Sequence, residues 1–225
     1  RPPWSGPEEA AMAAGTLIDM ETYPRRAHFE YFRAMRQPYV GITADVDITR
    51  LRDWIKRERL PFFLTTLYAA VQAANRVPEL RQRIAGEGIL QYDWCNPSYT
   101  VALPDGSFCY CRVDAQLELR EFLERAAQTQ REAMENPSIE DGDEADSLLF
   151  VSSLPWLRYS SLIQPTPEPA DSNPRITFGR YGEQEGRTLM PVSLLANHAL
   201  VDGRHIAQFY EYFTAAAAAL TGSGA

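Results

Sequence analysis

The stretch "LLANHALVDGRHIAQFYEYF", residues 194–213, holds two of the chain's three histidines. Its first half is apolar, as in a buried strand, and its second half repeats apolar residues at helical spacing. Gly203 stands at the junction between the two halves. Side chains at such a junction often point into clefts, and a glycine there permits backbone angles that other residues avoid. The stretch therefore predicts a strand, a turn that carries His198, and a helix.

The side chain of His198 has the chemistry of a general base. A neutral imidazole has an ordinary pKa of about 6.5, so it can accept a proton from a hydroxyl near neutral pH. Asp202 follows four residues later. It can accept a hydrogen bond from the imidazole, or it can pair with an arginine and hold the turn in shape. The spacing is compatible with both arrangements.

Patterns on either side of this stretch predict an α+β fold, a two-layer sandwich with a mixed, mostly antiparallel sheet. Strand patterns cover 15–20, 39–48, 89–94, 98–104, 107–115, 148–163, 175–181 and 188–200, and helix patterns cover 24–35, 48–60, 61–77, 117–134 and 203–220. Residues 78–84 read as a further turn or two. Pro155 predicts a bulge or break in its strand, because proline cannot donate to a central ladder.

Composition limits the classes of protein that the chain can belong to. With 225 residues, 45% of them hydrophobic, it suits one domain over 15–225, preceded by a flexible segment over 1–14. A net charge of -8 argues against nucleic-acid binding, and the lack of a long apolar run argues against a membrane protein. Three cysteines form neither an even disulfide set nor a CxxC metal motif, which favours reduced thiols and a cytoplasmic location.

The segment "NHALVDGRH" (197–205) resembles the H-H-A-x-x-D-G-x-H signature of the chloramphenicol acetyltransferases. Six other segments resemble motifs of that family in the same order. "YPRRAHFEYF" (23–32) is similar to W-x-R-R-E-H-F-E-x-Y, "VDITRL" (46–51) to D-I-T-x-L, "VPELRQRI" (77–84) to E-L-R-M-A-I, "YDWCNPSYTV" (92–101) to W-D-S-x-x-P-x-x-T-V, "FVSSLPWLRYSSL" (150–162) to S-A-x-P-W-V-x-F-x-S-F, and "ITFGRYGEQEGRTLMPVSL" (176–194) to I-T-M-x-K-Y-x-x-x-G-D-x-x-L-M-P-L.

The resemblance implies a chloramphenicol acetyltransferase-like fold and a homotrimer with an active site at each subunit interface. It implies transfer of an acetyl group from acetyl-CoA, without a metal, to a hydroxyl of a small molecule such as the antibiotic chloramphenicol. His198 matches the family's base, and Ser152 matches the serine that hydrogen-bonds the oxyanion. Thr177 matches a threonine that assists this stabilisation through water.

Other matched positions imply supporting roles. Arg25 matches the arginine that forms a salt bridge with the motif aspartate, which makes Asp202 a structural partner. Residues that match coenzyme A contacts are Trp156, Arg180 and Tyr181. Phe32 and its neighbour Tyr31 lie where aromatic side chains line the acceptor pocket. His28 and His205 are interpreted as structural or surface residues.

The chain also departs from the family pattern. Asn197 replaces the first histidine of the signature, and Phe32 lacks the hydroxyl that is usual at its position. Segments 35–43 and 164–174 differ in residue type where the family builds its acceptor pocket. Three hypotheses follow: acetyl transfer by the family mechanism, a scaffold redirected to another acyl transfer or bond-forming step in a biosynthetic pathway, and a non-catalytic binder of a small ligand.

Overall fold

A seven-stranded mixed sheet and five helices dominate the computed structural model, which describes residues 15–222. The segment predicted to be flexible, residues 1–14, lies outside the described residues. The strands are β1 (Gly15–Leu17), β2 (Tyr39–Asp47), β3 (Gln82–Ala85), β4 (Gly88–Tyr92), β5 (Pro97–Ala102), β6 (Phe108–Arg112), β7 (Leu149–Leu154), β8 (Arg175–Gly179), β9 (Gly182–Gln184) and β10 (Arg187–Asn197). The helices are α1 (Arg26–Arg33), α2 (Thr49–Glu58), α3 (Phe62–Asn75), α4 (Leu119–Glu135) and α5 (Gly203–Gly222), with short 3-10 helices at Pro78–Arg81 and Gly142–Ser147.

The large sheet has the strand order β2-β10-β8-β7-β5-β6, and β9 pairs with one end of β10. β8 runs parallel to β7 and β7 runs parallel to β5, whereas every other pairing is antiparallel. A separate three-stranded antiparallel sheet has the order β1-β4-β3. The predicted α+β fold with a mixed, mostly antiparallel sheet is therefore confirmed.

The two faces of β10 have different surroundings. Val192, Leu194 and Ala196 are buried in the apolar core, which also contains Phe209 and Phe213 of α5. Because successive strand side chains point to opposite faces, the alternate residues of β10 face away from that core. The helices therefore cover one face of β10, and the polar residues described below lie on the other.

The observed elements differ from the sequence prediction in several places, and β9 lies between two predicted strands. Residues 82–85 form a strand paired with β4 instead of a further turn. The prediction failed because this strand begins with two buried polar residues, Gln82 and Arg83, which obscure the alternation of apolar and polar side chains that is typical of a strand. The strand pattern over 148–163 ends at Leu154, and a turn follows at Pro155, in line with the break that this proline predicts.

Two further findings concern features raised by the composition. All three cysteines, Cys95, Cys109 and Cys111, are buried and free. Within residues 15–222, no helix combines the length and the apolar character that crossing a membrane requires.

Candidate active site

β10 ends in a tight turn, residues 197–202, which we call the histidine turn. Asn197 closes it with both ends of its side-chain amide. Its Oδ1 accepts the backbone N–H of Ala199 at 3.0 Å, and its Nδ2 donates to the carbonyl of Asp171 at 2.9 Å. Asn197 is buried, so these bonds are shielded from water. The residue that departs from the family signature is therefore a fixed part of the turn.

The imidazole of His198 is held by a carbonyl and by a ring. Its Nδ1 lies 2.8 Å from the carbonyl oxygen of Val201. A carbonyl can only accept, so Nδ1 carries the proton and Nε2 of the neutral ring keeps a free lone pair. The ring stacks on Phe32 with centroids 3.9 Å apart, and the backbone N–H donates to Pro38 at 2.6 Å. His198 thus has the tautomer that a general base acting through Nε2 requires.

Arg25 and Asp202 form an ion pair beside the histidine turn. Arg25 Nε lies 3.4 Å from Asp202 Oδ2, and the guanidinium also donates to the carbonyl of Leu200. His198 Nδ1 is bonded to a backbone carbonyl and not to Asp202. Of the two arrangements that the spacing allows, the structure therefore has the arginine pair.

Asp202 also caps α5 together with His205. Asp202 Oδ1 accepts the N–H of Arg204 at 3.0 Å, and the Asp202 N–H donates to His205 Nδ1 at 3.1 Å, which is a reciprocal capping box with histidine at the third helical position. Burial lowers the pKa of His205, although Glu79 and Asp202 act in the opposite direction. Burial would raise the pKa of Asp202, but His205, the Arg204 N–H and Arg25 outweigh it and lower that pKa. His205 has a structural role, as expected, and His28 is exposed.

A pair of hydroxyls lies in the middle of the sheet. Ser152 on β7 and Thr177 on β8 are directly opposite each other, and their side-chain oxygens are 2.8 Å apart. Thr177 is buried, and its Oγ1 lies within donating distance, 3.4 Å, of Gln164 Oε1. When Thr177 donates to Ser152 rather than to Gln164, the Ser152 proton is free for a ligand oxygen.

Trp156, Arg180 and Tyr181 lie near the C-terminal ends of β7 and β8. The backbone N–H of Arg180 donates to the carbonyl of Leu157 at 2.9 Å, which brings the two segments together. Trp156 is 73% exposed, and Tyr181 is exposed with its ring 5.1 Å from that of Phe62. Two exposed aromatic rings and an exposed arginine in the same region suit a ligand that carries a flat ring and anionic groups.

The aromatic pair at the other end of the sheet surrounds His198. Tyr31 meets Phe32 edge to face at 5.1 Å and is itself 65% exposed. Phe32 in turn stacks on His198. The two aromatic residues matched to the acceptor pocket therefore lie near His198 and not at the hydroxyl pair.

The structure does not bring His198 close to Ser152 within one chain. Ser193 on β10 lies opposite Thr177, and Thr177 lies opposite Ser152, so two strand spacings separate Ser193 from Ser152. His198 lies five residues further along the chain from Ser193. At about 3.3 Å per residue and about 4.8 Å per strand, the two side chains are roughly 15–20 Å apart. A base and an oxyanion donor at that separation cannot act on one reacting carbon.

Two surface cavities lie on the face of the sheet that carries Ser193. The first, of about 330 Å³, lies between β2, β10 and the segment 160–166, and the second, of about 530 Å³, is lined by residues that include Asp45 and Arg158. His198 lines neither cavity. No cluster of His, Cys, Asp or Glu within residues 15–222 could hold a metal ion.

The sequence patterns missed several groups that hold His198 in place. The carbonyls of Val201 and Pro38 both hold His198, and the side chain of Asn197 holds the turn. Backbone carbonyls carry no signal in the sequence. Asn197 did carry a signal in the sequence, because a side-chain amide in place of a histidine can both donate and accept hydrogen bonds.

Comparisons with known proteins agree along almost the whole described chain. The model of the chloramphenicol acetyltransferase family matches residues 14–213. A chloramphenicol acetyltransferase of Clostridium perfringens is 31% identical over 200 residues, which are 86% of this chain and 90% of the relative. One of Streptomyces acrimycini is 28% identical over 204 residues, 89% of this chain and 93% of the relative.

Solved structures have the same architecture. A chloramphenicol acetyltransferase structure superposes with a TM-score of 0.80 at 25% identity and covers 90% of this chain and 99% of its own. The cubic core of the pyruvate dehydrogenase multienzyme complex superposes with a TM-score of 0.67 at 18% identity, over 87% of this chain and 88% of its own, and shows the fold alone. The family model, the relatives and the fold agree, and the chain belongs to the chloramphenicol acetyltransferase family.

Proposed function

We propose that this protein transfers an acetyl group from acetyl-CoA to a hydroxyl of a small molecule, such as chloramphenicol, the compound for which its relatives are named. The observation that carries the proposal is the hydrogen bond from His198 Nδ1 to the Val201 carbonyl. That bond leaves Nε2 as the proton acceptor at the end of β10.

In the proposed reaction His198 removes the proton from the acceptor hydroxyl as the oxygen attacks the thioester carbonyl. The carbonyl oxygen becomes an oxyanion, and the Ser152 hydroxyl donates a hydrogen bond to it. Thr177 orients Ser152 through the 2.8 Å contact. When the C–S bond breaks, the proton on His198 passes to the leaving thiolate, and the acetylated acceptor and free thiol are released.

The exposed cluster of Trp156, Arg180 and Tyr181 fits the acyl donor. It lies beyond the C-terminal ends of β7 and β8, and Ser152 and Thr177 lie two residues before these ends. The rings can stack on the adenine, and Arg180 can pair with a phosphate. A donor bound there can extend toward the oxyanion serine on the same chain.

We further propose that each site forms between two copies of the chain in a homotrimer. Ser152 and His198 are roughly 15–20 Å apart along the sheet of one chain. Both are nevertheless needed at one carbonyl carbon. A ring in which one copy supplies Ser152 and the next supplies His198, with Phe32 and Tyr31 beside it, removes this conflict.

A steady-state assay of thiol release from acetyl-CoA, with and without chloramphenicol, tests the activity. We expect chloramphenicol-dependent release, and a fall of about 10²–10⁴ in kcat for His198→Ala. Activity that survives this replacement would rule out His198 as the base. Release with another hydroxylated acceptor only would indicate a redirected scaffold. A ligand bound without turnover of any thioester would indicate a binding protein.

Mixing two inactive variants tests the shared site. His198→Ala and Ser152→Ala chains are unfolded together, refolded as mixed oligomers and assayed, and each variant refolded alone is the control. In a site shared by two chains, an intact His198 meets an intact Ser152 in about a quarter of the sites, so about a quarter of the wild-type activity returns. A site within one chain would return none.

A further inference from the structure

The hydroxyl pair belongs to a longer row across the sheet. Strand register places Ser152, Thr177, Ser193 and Thr43 side by side on β7, β8, β10 and β2. We call these four residues the hydroxyl row. Ser152 and Thr177 bond to each other at 2.8 Å, and Ser193 and Thr43 bond at 2.7 Å. The row thus consists of two bonded pairs on adjacent strands.

Tyr159 joins the two pairs. Its hydroxyl donates to the backbone carbonyl of Thr177 at 3.0 Å and accepts from Ser193 Oγ at 3.3 Å. Each hydroxyl has one proton, so the directions follow: Thr43 donates to Ser193, Ser193 to Tyr159, and Tyr159 to the Thr177 carbonyl. Every proton in this chain of hydrogen bonds has an acceptor, and the last acceptor is on the strand that carries Thr177.

The protein provides a slot for the Tyr159 ring. A Cβ built on Gly179 would lie 2.7 Å from the Tyr159 ring and 2.6 Å from Pro191, so only glycine leaves room for the ring. Ser193 is buried, and without Tyr159 its hydroxyl proton would lose this acceptor. The family motif similar to residues 150–162 has phenylalanine where this chain has Tyr159. The Tyr159 hydroxyl is thus a departure from that motif, and it both donates and accepts a hydrogen bond.

We propose that Tyr159 is a positioning residue that fixes β8 at Thr177 and thereby orients the Ser152 hydroxyl toward the oxyanion. The β-branched Thr177 has few side-chain conformations, so its backbone sets the direction of its Oγ1. Ser152 lies 2.8 Å from that oxygen and takes its orientation from it. Tyr159 acts through these groups and does not touch the reacting atoms. The inference rests on the proposed function, because it assigns Ser152 to the oxyanion.

The test is Tyr159→Phe, which removes the hydroxyl and keeps the ring in its slot. We expect kcat to fall about tenfold while KM for acetyl-CoA stays within about twofold, because a misdirected donor weakens transition-state stabilisation and leaves the donor site intact. The matched control is Tyr212→Phe on α5, whose ring contacts Arg76 on the helical side of the molecule. We expect it to keep the wild-type kcat.

An unchanged kcat in Tyr159→Phe, or an equal fall in both variants, would overturn the inference. A lowered melting temperature with unchanged kcat would also overturn it, since that result describes a merely stabilising contact. If the wild type transfers no acetyl group, the proposed function fails. Crystal structures of the wild type and Tyr159→Phe then decide the positioning: loss of the Ser152–Thr177 contact in the variant supports it, and an unaltered hydroxyl row refutes it.

Discussion

The histidine turn and the hydroxyl row each hold one polar side chain in place, His198 and Ser152, but by different kinds of contact. The turn is held by contacts at the end of one strand: the Asn197 amide, the Val201 carbonyl and the Phe32 ring. The row is held by register, because Ser152 and Thr177 meet only where β7 and β8 pair. His198 can therefore be displaced by local changes, whereas the positions of the residues in the row depend on how whole strands align.

The difference shows where catalysis and stability overlap. Asp202, at the end of the turn, caps α5 and pairs with Arg25 just before α1, so we expect the loss of these contacts to lower both stability and activity. Within residues 15–222 the Ser152 hydroxyl hydrogen-bonds the Thr177 hydroxyl alone, so its loss should affect activity and leave stability almost unchanged. Changes in the hydroxyl row should therefore alter activity without altering stability, whereas changes in the histidine turn should alter both.

Ser152→Ala should give the largest effect on the row. We expect kcat to fall about 10²–10³-fold, the cost of losing one oxyanion donor, while the free energy of unfolding changes by less than about 1 kcal/mol. Ser153→Ala is the matched control, since the next residue points to the opposite face of β7. Kinetics and urea unfolding are measured for both variants. A large loss of stability in Ser152→Ala would contradict the expectation that this hydroxyl affects activity and not stability.

Arg25→Ala should give the largest effect on the stability of the turn. The change removes the guanidinium that pairs with the Asp202 carboxylate and donates to the Leu200 carbonyl, and we expect it to lower the free energy of unfolding by about 1–3 kcal/mol. Arg26→Ala removes an exposed pair with Glu30 and should cost no more than about 0.5 kcal/mol. Urea unfolding compares the two variants, and equal losses would contradict a special role for Arg25.

Asn197→Ala sharpens the comparison within the turn. It removes the acceptor of the Ala199 N–H and the donor to the Asp171 carbonyl, so we expect a loss of about 1–2 kcal/mol in unfolding free energy and a lower kcat. Asn197→Asp is the partner variant. It keeps the acceptor but places a carboxylate oxygen against the Asp171 carbonyl. Wild-type kinetics in both variants would show that the amide does not position the base.

The cap on α5 should give the smallest effect, through pH. The pKa of His205 is lowered in the folded chain, so as pH falls below about 6.5 the unfolded chain binds a proton that the folded chain resists. Stability from this group is thus complete above about pH 6.5 and decreases as the pH falls below that value. His205→Gln keeps an acceptor for the Asp202 N–H without titrating, so its unfolding free energy should vary less over this range. An unchanged pH slope would contradict this.

The contrast between local contacts in the turn and strand register in the row also explains how much could be predicted from the sequence. His198, Asp202 and Gly203 lie within six residues of one another, so a local pattern identified the turn and the start of α5. Ser152 and Thr177 are 25 residues apart and could be found only through resemblance to a family. The choice of Arg25 as the partner of Asp202 came from that resemblance and not from spacing, since the two are far apart in sequence.

The features that escaped prediction depend on tertiary contacts. Arg83 lies on a strand that the pattern missed, because its buried guanidinium bonds to the carbonyls of Asp146 and Leu148 from a distant loop. Tyr159 follows the break at Pro155, and its partners lie on two other strands. Neither residue stands out in its own segment. Their roles appear only when the sheet has formed.

The long pairing of β10 has a consequence for the diversification of this enzyme family. β10 aligns with β2 over nine consecutive residue pairs and carries Ser193 in its middle and His198 just beyond its end. Inserting or deleting one residue between these two positions would turn one of them to the wrong face of the sheet. New acceptor preferences are therefore expected to evolve by length changes in the segment over 164–174, while β10 changes only by substitution.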